Sequence, residues 1–207
     1  MGLEMYTDAE GELAVRMARE AIESSVRHRA LPPFSVPSSF ERESGVFVTV
    51  NTHPKAELRG CIGYPSPFFP LAKAIVKAAE GATEDPRFPP LGEDELDRVV
   101  VEVSILTPPE LLEAKKPKQL PSLVRLGVDG LIAAQGAARG LLLPQVAVEW
   151  GWEAEEFLAQ TCMKADLLPD AWLDPETRIY RFQSEIWAEV EPRGPIVRRM
   201  LDAHARA

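Results

Sequence analysis

Val46-Phe47-Val48-Thr49-Val50-Asn51, a short turn at 51–55, and then Leu58-Arg59-Gly60-Cys61-Ile62-Gly63 read as two paired strands. In the first, Val46, Val48 and Val50 take one face and Phe47 and Thr49 the other, the period of two that a half-buried strand requires. The same alternation in the second puts Leu58, Gly60 and Ile62 on one side and Arg59, Cys61 and Gly63 on the opposite side. Further along the chain, the valine-rich run 99–106 reads as a third strand. There Val99, Val101, Val103 and Ile105 share a face, and Val100, Glu102, Ser104 and Leu106 share the other.

Outward from this core, Thr7 and Glu10 form a capping-box signature. Leu13, Met17, Ile22 and Val26 follow at helical spacing, with alanines between them. Pro70 suits the first turn of a second helix, 71–81, which Gly81 is placed to stop. A short acidic helix is expected near 93–96. Residues 127–135 and 141–148 read as a hairpin across 136–140, with Pro144 marking an edge or bulge. A helix over 153–166 carries Phe157, Leu158, Thr161, Cys162 and Ala165 as its less polar stripe. Residues 177–191 read as one long strand, and the chain from Pro192 as a short helix or frayed tail. Helices and hairpin-linked strands together predict an α+β class with a largely antiparallel sheet flanked by helices.

Composition narrows the function classes. The chain has 207 residues and a formal net charge of −9, with no Lys/Arg-rich run. Direct nucleic-acid binding is therefore disfavoured, as is attraction to anionic lipid. Two cysteines and three histidines, His28, His53 and His204, offer no ligand cluster of recognisable spacing, so neither a metal nor a cofactor is expected. The first residues lack a basic stretch leading into an apolar one, and no apolar run is long enough to span a bilayer. The expected address is cytoplasmic, without membrane insertion. The four tryptophans are expected as core or interface anchors rather than a base-stacking platform.

Chemistry concentrates at Leu58 to Gly63. Glycines beside a strand cysteine leave room for close approach by a ligand or another backbone. An Arg59 guanidinium on the face of Cys61 would favour the thiolate, or hold a carboxylate or phosphate through two hydrogen bonds. The competing reading is a cysteine serving as a small buried apolar residue. Glu102 interrupts a valine strand, and buried there it needs a cation, for which Arg59 and Arg87 are candidates. The alternative for Glu102 is a solvated face. Asp85-Pro86-Arg87-Phe88 presents an acid and a base from a stiff loop, or else a structural turn with a local ion pair. Ser104 neighbours Glu102, and Gln145 follows the suspected bulge, where it could be aimed into a cleft or be a plain turn residue. His53 could reach Cys61 if its turn folds back; an exposed turn is the plainer expectation.

The chain also resembles the AMMECR family, named for a human contiguous-deletion syndrome region. The resemblance runs from about Thr7 to Glu191. It rests on Phe47-Val48-Thr49, the signature Leu58-Arg59-Gly60-Cys61-Ile62-Gly63, Asp85-Pro86-Arg87-Phe88, Glu102-Val103-Ser104, Gly127-Val128-Asp129-Gly130, Leu143-Pro144-Gln145-Val146 and Cys162-Met163-Lys164-Ala165. It implies an α+β fold of two associated lobes, taken as one domain over 1–191; residues 192–207 lie outside the resemblance and are expected as a tail, a short helix or disordered. It implies no reaction. It does imply a pathway shared with Memo-like and radical-SAM proteins, beside which prokaryotic relatives are encoded.

Two functions of different class follow. One is a cysteine-dependent enzyme acting on a small anionic or amide-like substrate, with Cys61 and Glu102 catalytic and Arg59, Gly60, Gly63, Asp85, Arg87, Ser104 and Gln145 binding the substrate. The other is a non-catalytic binding or adaptor protein for a small anion, a peptide or a partner protein.

Overall fold

The computed structural model describes residues 5–199. In chain order it has α1 (Asp8–Val26), β1 (Val46–Thr52), β2 (Leu58–Tyr64), α2 (Leu71–Thr83), β3 (Val99–Leu106), β4 (Glu110–Leu111), β5 (Gly130–Gln135), β6 (Ala138–Leu142), α3 (Pro144–Trp150), α4 (Ala154–Lys164), β7 (Arg178–Phe182), β8 (Ser184–Glu189) and β9 (Ile196–Arg199). The fold is α+β. Two compact units divide it: the described residues up to Leu106 with those from Glu185 onward, and Thr107–Ser184. No helix among the described residues is long and apolar enough to cross a membrane.

The first unit is a five-stranded sheet, ordered β2-β1-β3-β8-β9, packed on α1 and α2. Helix α1 starts where the sequence predicts. Thr7 Oγ1 accepts from the Glu10 amide and the Glu10 carboxylate accepts from the Thr7 amide, which satisfies two otherwise orphaned donors. Val46, Val48, Val50, Val99, Val101, Val103 and Ile105 form the buried stripe that meets Ala14, Met17, Ile22, Leu71, Ile75 and Ala78 of the helices. Each of the Val, Leu, Ile and Met side chains among them contributes about 1.5–3 kcal/mol on burial. A buried pair crosses this core. Arg19 of α1 binds the Glu189 carboxylate of β8 and donates to the Leu96 and Val99 carbonyls, while Glu189 accepts from the Val101 amide. With both ions partnered, the desolvation penalty is offset and two strands are tied to the helix.

The second unit is a four-stranded sheet, ordered β4-β7-β5-β6, with a separate core of Leu131, Ala133, Phe157, Leu158, Cys162, Trp172 and Ile179. Cys162 is fully buried among these residues, and burial pushes its thiol up to about 11. Gly140 is required here, because a Cβ on it would collide with the α4 backbone at Lys164 and Ala165.

The structure corrects local expectations at several elements. Helix α2 runs through Gly81 to Thr83. Gly81 serves packing instead, since a Cβ there would lie 3.0 Å from Ile62 of β2. The hairpin is tighter than expected, β5 and β6 being joined by Gly136, at φ 58°, and Ala137. Residues from Pro144 are therefore helix α3, with proline at its first position, where a missing N–H costs nothing. Seven residues are too few for periodicity to separate helix from strand. The long strand over 177–191 is two strands in different sheets. At the break, Thr107 and Gln183 bond each other: the Thr107 amide donates to the Gln183 carbonyl, and the Gln183 amide donates to Thr107 Oγ1. The antiparallel strands of the α+β fold lie in two sheets. After Pro192 the chain forms β9, an edge strand paired with β8; residues 200–207 lie outside the described ones.

Candidate functional site

Strand β2 is an edge strand, and the geometry around Cys61 follows from that. Val50 opposes Gly60 and Asn51 opposes Leu58, so Arg59 is the extra residue of a β-bulge. A bulge breaks the alternation on which Arg59 was expected to share a face with Cys61. Its guanidinium instead grips Glu95, with Nε donating to Oε1 at 2.8 Å and Nη2 to Oε2 at 2.9 Å. Nη2 also donates to the Pro90 carbonyl at 3.2 Å. Glu95 additionally accepts from the Gly92 amide. Arg59 is thus bound bidentately within the protein.

The outer edge of β2 is closed by Asp85 and Arg87. The Cys61 amide donates to Asp85 Oδ2 at 2.8 Å, and Arg87 Nη2 donates to the Cys61 carbonyl at 3.2 Å. The two side chains also bind each other, Nε to Oδ1 at 3.0 Å and Nη2 to Oδ2 at 2.7 Å. An acid and a base spaced two residues apart therefore stand in for a neighbouring strand, taking one donor and one acceptor from the edge. The Asp85 side chain is only 1% exposed, and Arg87 with the two backbone amides holds its carboxyl well below the usual range. Phe88 lies within cation–π range of both guanidinium groups, 6.0 Å from Arg59 and 5.6 Å from Arg87. Gly60 allows this strand to seat on α2, because a Cβ would collide with the Ala82 carbonyl.

The face away from the helices carries a polar row across three strands. Thr49 pairs directly with Cys61 on one side and Glu102 on the other. Thr49 Oγ1 donates to Cys61 Sγ at 3.3 Å. In the next row Phe47 stands between Gly63 and Ser104, and its ring occupies the space a Gly63 side chain would take. Ser104 is buried, Cys61 half-buried. Burial pushes the Cys61 thiol up; the Thr49 hydroxyl and the Arg87 charge oppose this, and Asp85 and Glu102 add to it. Burial likewise raises the Glu102 carboxyl, opposed by Arg199 of β9 at 3.2 Å.

The sequence-predicted residues therefore fall into three groups. Cys61, Glu102, Ser104 and Gly63 share one sheet face; Asp85 and Arg87 serve the strand edge; Arg59 and Gly60 serve the bulge and the helix contact. Three expectations are corrected. Arg59 pairs with Glu95 rather than activating the thiol. The cation on Glu102 is Arg199, not Arg59 or Arg87. The thiol is shifted up, not down. Gln145 sits in the first turn of α3 in the second unit, at no bulge, and its Oε1 is buried without a hydrogen-bond partner among the described residues. His53 is exposed. Thr49, Glu95 and Arg199 were missed. Only the in-register pairing of two adjacent strands could have singled out Thr49. Among the described residues, no group of three or more His, Cys, Asp and Glu side chains is gathered as metal ligands would be.

Comparison with known proteins now bears on this geometry. The AMMECR1 family model matches residues 15–187. The chain belongs to the AMMECR1 family. A protein of Thermococcus kodakarensis is 54% identical over 200 residues, covering 94% of this chain and 97% of its own. One from Methanothermobacter thermautotrophicus is 57% identical over 183 residues, covering 87% and 94%. The crystal structure of an uncharacterised Pyrococcus horikoshii protein superposes with a TM-score of 0.86 at 50% identity, covering 95% of this chain and all of that one. The AMMECR1 fold is thus the frame in which the Cys61 row and the Asp85–Arg87 edge stand.

Proposed function

We propose that the sheet face around Cys61 binds an amide-like group, such as a peptide segment, without using Cys61 as a thiolate nucleophile. One observation carries this reading: the guanidinium groups near the thiol are already engaged. Arg59 is held by Glu95, and Arg87 by Asp85 and the Cys61 carbonyl. A site built to activate a thiol or to seize an anion would leave such a cation free. What the face offers instead is a neutral thiol, a hydroxyl, a half-buried carboxyl and the Phe47 ring. These suit hydrogen bonding to an amide. The partners implied by the AMMECR resemblance, Memo-like and radical-SAM proteins, are natural bearers of such a segment or of the small molecule that carries it.

The cysteine-dependent enzyme is the second reading, favoured by the Cys61–Thr49–Glu102 row. A carboxyl raised by burial is suited to accept and return a proton, and Thr49 stands between it and the thiol. Alkylation of Cys61 by iodoacetamide across pH, followed by peptide mass, separates the two. The binding reading expects a titration midpoint at or above the ordinary thiol value of 9.0, with Glu102→Gln lowering it only slightly, because the carboxylate is a minor contributor to the upward shift. A midpoint below neutrality in the wild type establishes the enzyme instead. In parallel, titration with N-acetylalanine methylamide is expected to shift the NMR signals of Thr49 and Cys61; no shift at millimolar probe removes the binding reading.

A further inference from the structure

The second unit carries an aromatic surface that its core does not use. Trp150 ends α3, Gly151 follows at φ 65°, and Trp152 stands before α4. The two indoles stack, with ring centroids 5.9 Å apart and planes 17° from parallel. Trp152 packs against the second core, whereas Trp150 is 70% exposed. Trp172 and Trp187, by contrast, are buried anchors. An indole held rigidly against another and left open to solvent carries a hydration cost that packing inside the chain does not recover.

The surroundings specify what would cover it. Glu149-Trp150-Gly151-Trp152-Glu153-Ala154-Glu155-Glu156 holds four carboxylates and no base. All four are exposed, and none of them pairs with a cation among the described residues. Glu155 and Glu156 are accounted for locally, since acids in the first turn of α4 offset its dipole. Glu149 is not: it lies in the last turn of α3, where the dipole disfavours an acid. Negative aromatic faces and unpaired carboxylates share a complement in a cation, and an exposed flat indole favours a guanidinium, which stacks on it as an ammonium does not.

We propose that Trp150 and Trp152, rimmed by Glu149 and Glu153, form a docking surface for an arginine-bearing segment of a partner protein. A guanidinium would stack on the outer face of Trp150 and donate to a flanking carboxylate. The surface lies in the second unit and stands independently of the Cys61 reading.

Fluorescence anisotropy of a labelled Gly-Arg repeat peptide on the full chain tests it. Trp150→Ala preserves the charge and touches no core, so it separates specific docking from attraction to an acidic protein. It is expected to weaken binding about tenfold, the size of one desolvated cation–π contact, while Trp150→Phe retains most of the affinity. Glu149→Gln with Glu153→Gln is expected to weaken binding and flatten its salt dependence; Glu57→Gln, exposed in the first unit, is expected to change neither. Equal affinity for wild type and Trp150→Ala overturns the proposal. So does Trp150-dependent binding of labelled oligothymidylate, which would make the pair a base-stacking platform, or Trp150-dependent self-association in sedimentation, which would make the occupant a second copy.

Discussion

The edge and the face of strand β2 meet at one residue and are built on opposite principles. At the edge, Asp85 and Arg87 close the Cys61 backbone with full charges, each partnered several times, and the acid is held ionised. On the face, Cys61, Thr49 and Glu102 form a row in which burial shifts both titratable groups toward their neutral forms. Charge at the edge is spent on holding the strand; the uncharged groups on the face are what remains to meet a ligand. The motif acids and bases beside a cysteine need not be its catalytic apparatus, because an edge strand has backbone groups of its own to satisfy.

Breaking the edge is expected to have the largest effect. Asp85→Ala removes the acceptor of the Cys61 amide, the Arg87 amide and the Arg87 guanidinium, and is expected to cost about 3 kcal/mol in urea denaturation. The deficit has a sign in pH. A carboxyl with a depressed folded pKa stabilises fully above its unfolded value, near 3.8, and loses that contribution as pH falls. The gap between Asp85→Ala and wild type should therefore close in acid. Were it to stay constant down to low pH, the edge would not depend on the charge.

Gly60→Ala comes next, at about 2 kcal/mol by thermal melt, since the Cβ meets a helix carbonyl that cannot rotate away. Arg59→Lys keeps charge but loses the two-pronged bond to Glu95, and should cost about 1 kcal/mol. A double-mutant cycle with Glu95→Gln should be non-additive; additive losses would free Arg59 from its structural role and return it to the ligand site.

The smallest effect is expected on the face, and with opposite sign. Glu102 binds its proton more tightly folded than unfolded. Wild type therefore loses stability as pH rises from the unfolded value, near 4.5, to the raised folded one. Glu102→Gln escapes this loss and gives up the Arg199 pair. Relative to wild type it should gain, by under about 1 kcal/mol, as pH climbs from 4 toward 7. A loss that instead grows with pH would place Glu102 with Asp85, among the structural charges.

Much of the first unit was legible in the chain. The Thr7–Glu10 cap, the alternating valines of β1 and β3 and the apolar stripe of α1 are local patterns, and the structure follows them. Cys162 was readable as core from its place in the α4 stripe. The errors have a common cause. Pro144 and Gln145 were read as strand because seven helical residues show too little period. Arg59 was placed by counting in twos, which one bulged residue defeats. The split at Gln183 depends on a bond to Thr107, far away in sequence.

The sequence by itself determined the α+β class, the family, the hexapeptide as the centre of interest, and which residues of β1 and β3 share a face. These rest on caps, periods and colinear motifs within a few residues of each other. Only the tertiary structure decided that Arg59 belongs to Glu95, Asp85 to the Cys61 backbone and Glu102 to Arg199, and that the Cys61 thiol is shifted up rather than down. Charge partners are chosen by chain closure over tens of residues, and a pKa by the water that packing removes. Neither quantity is written in local spacing.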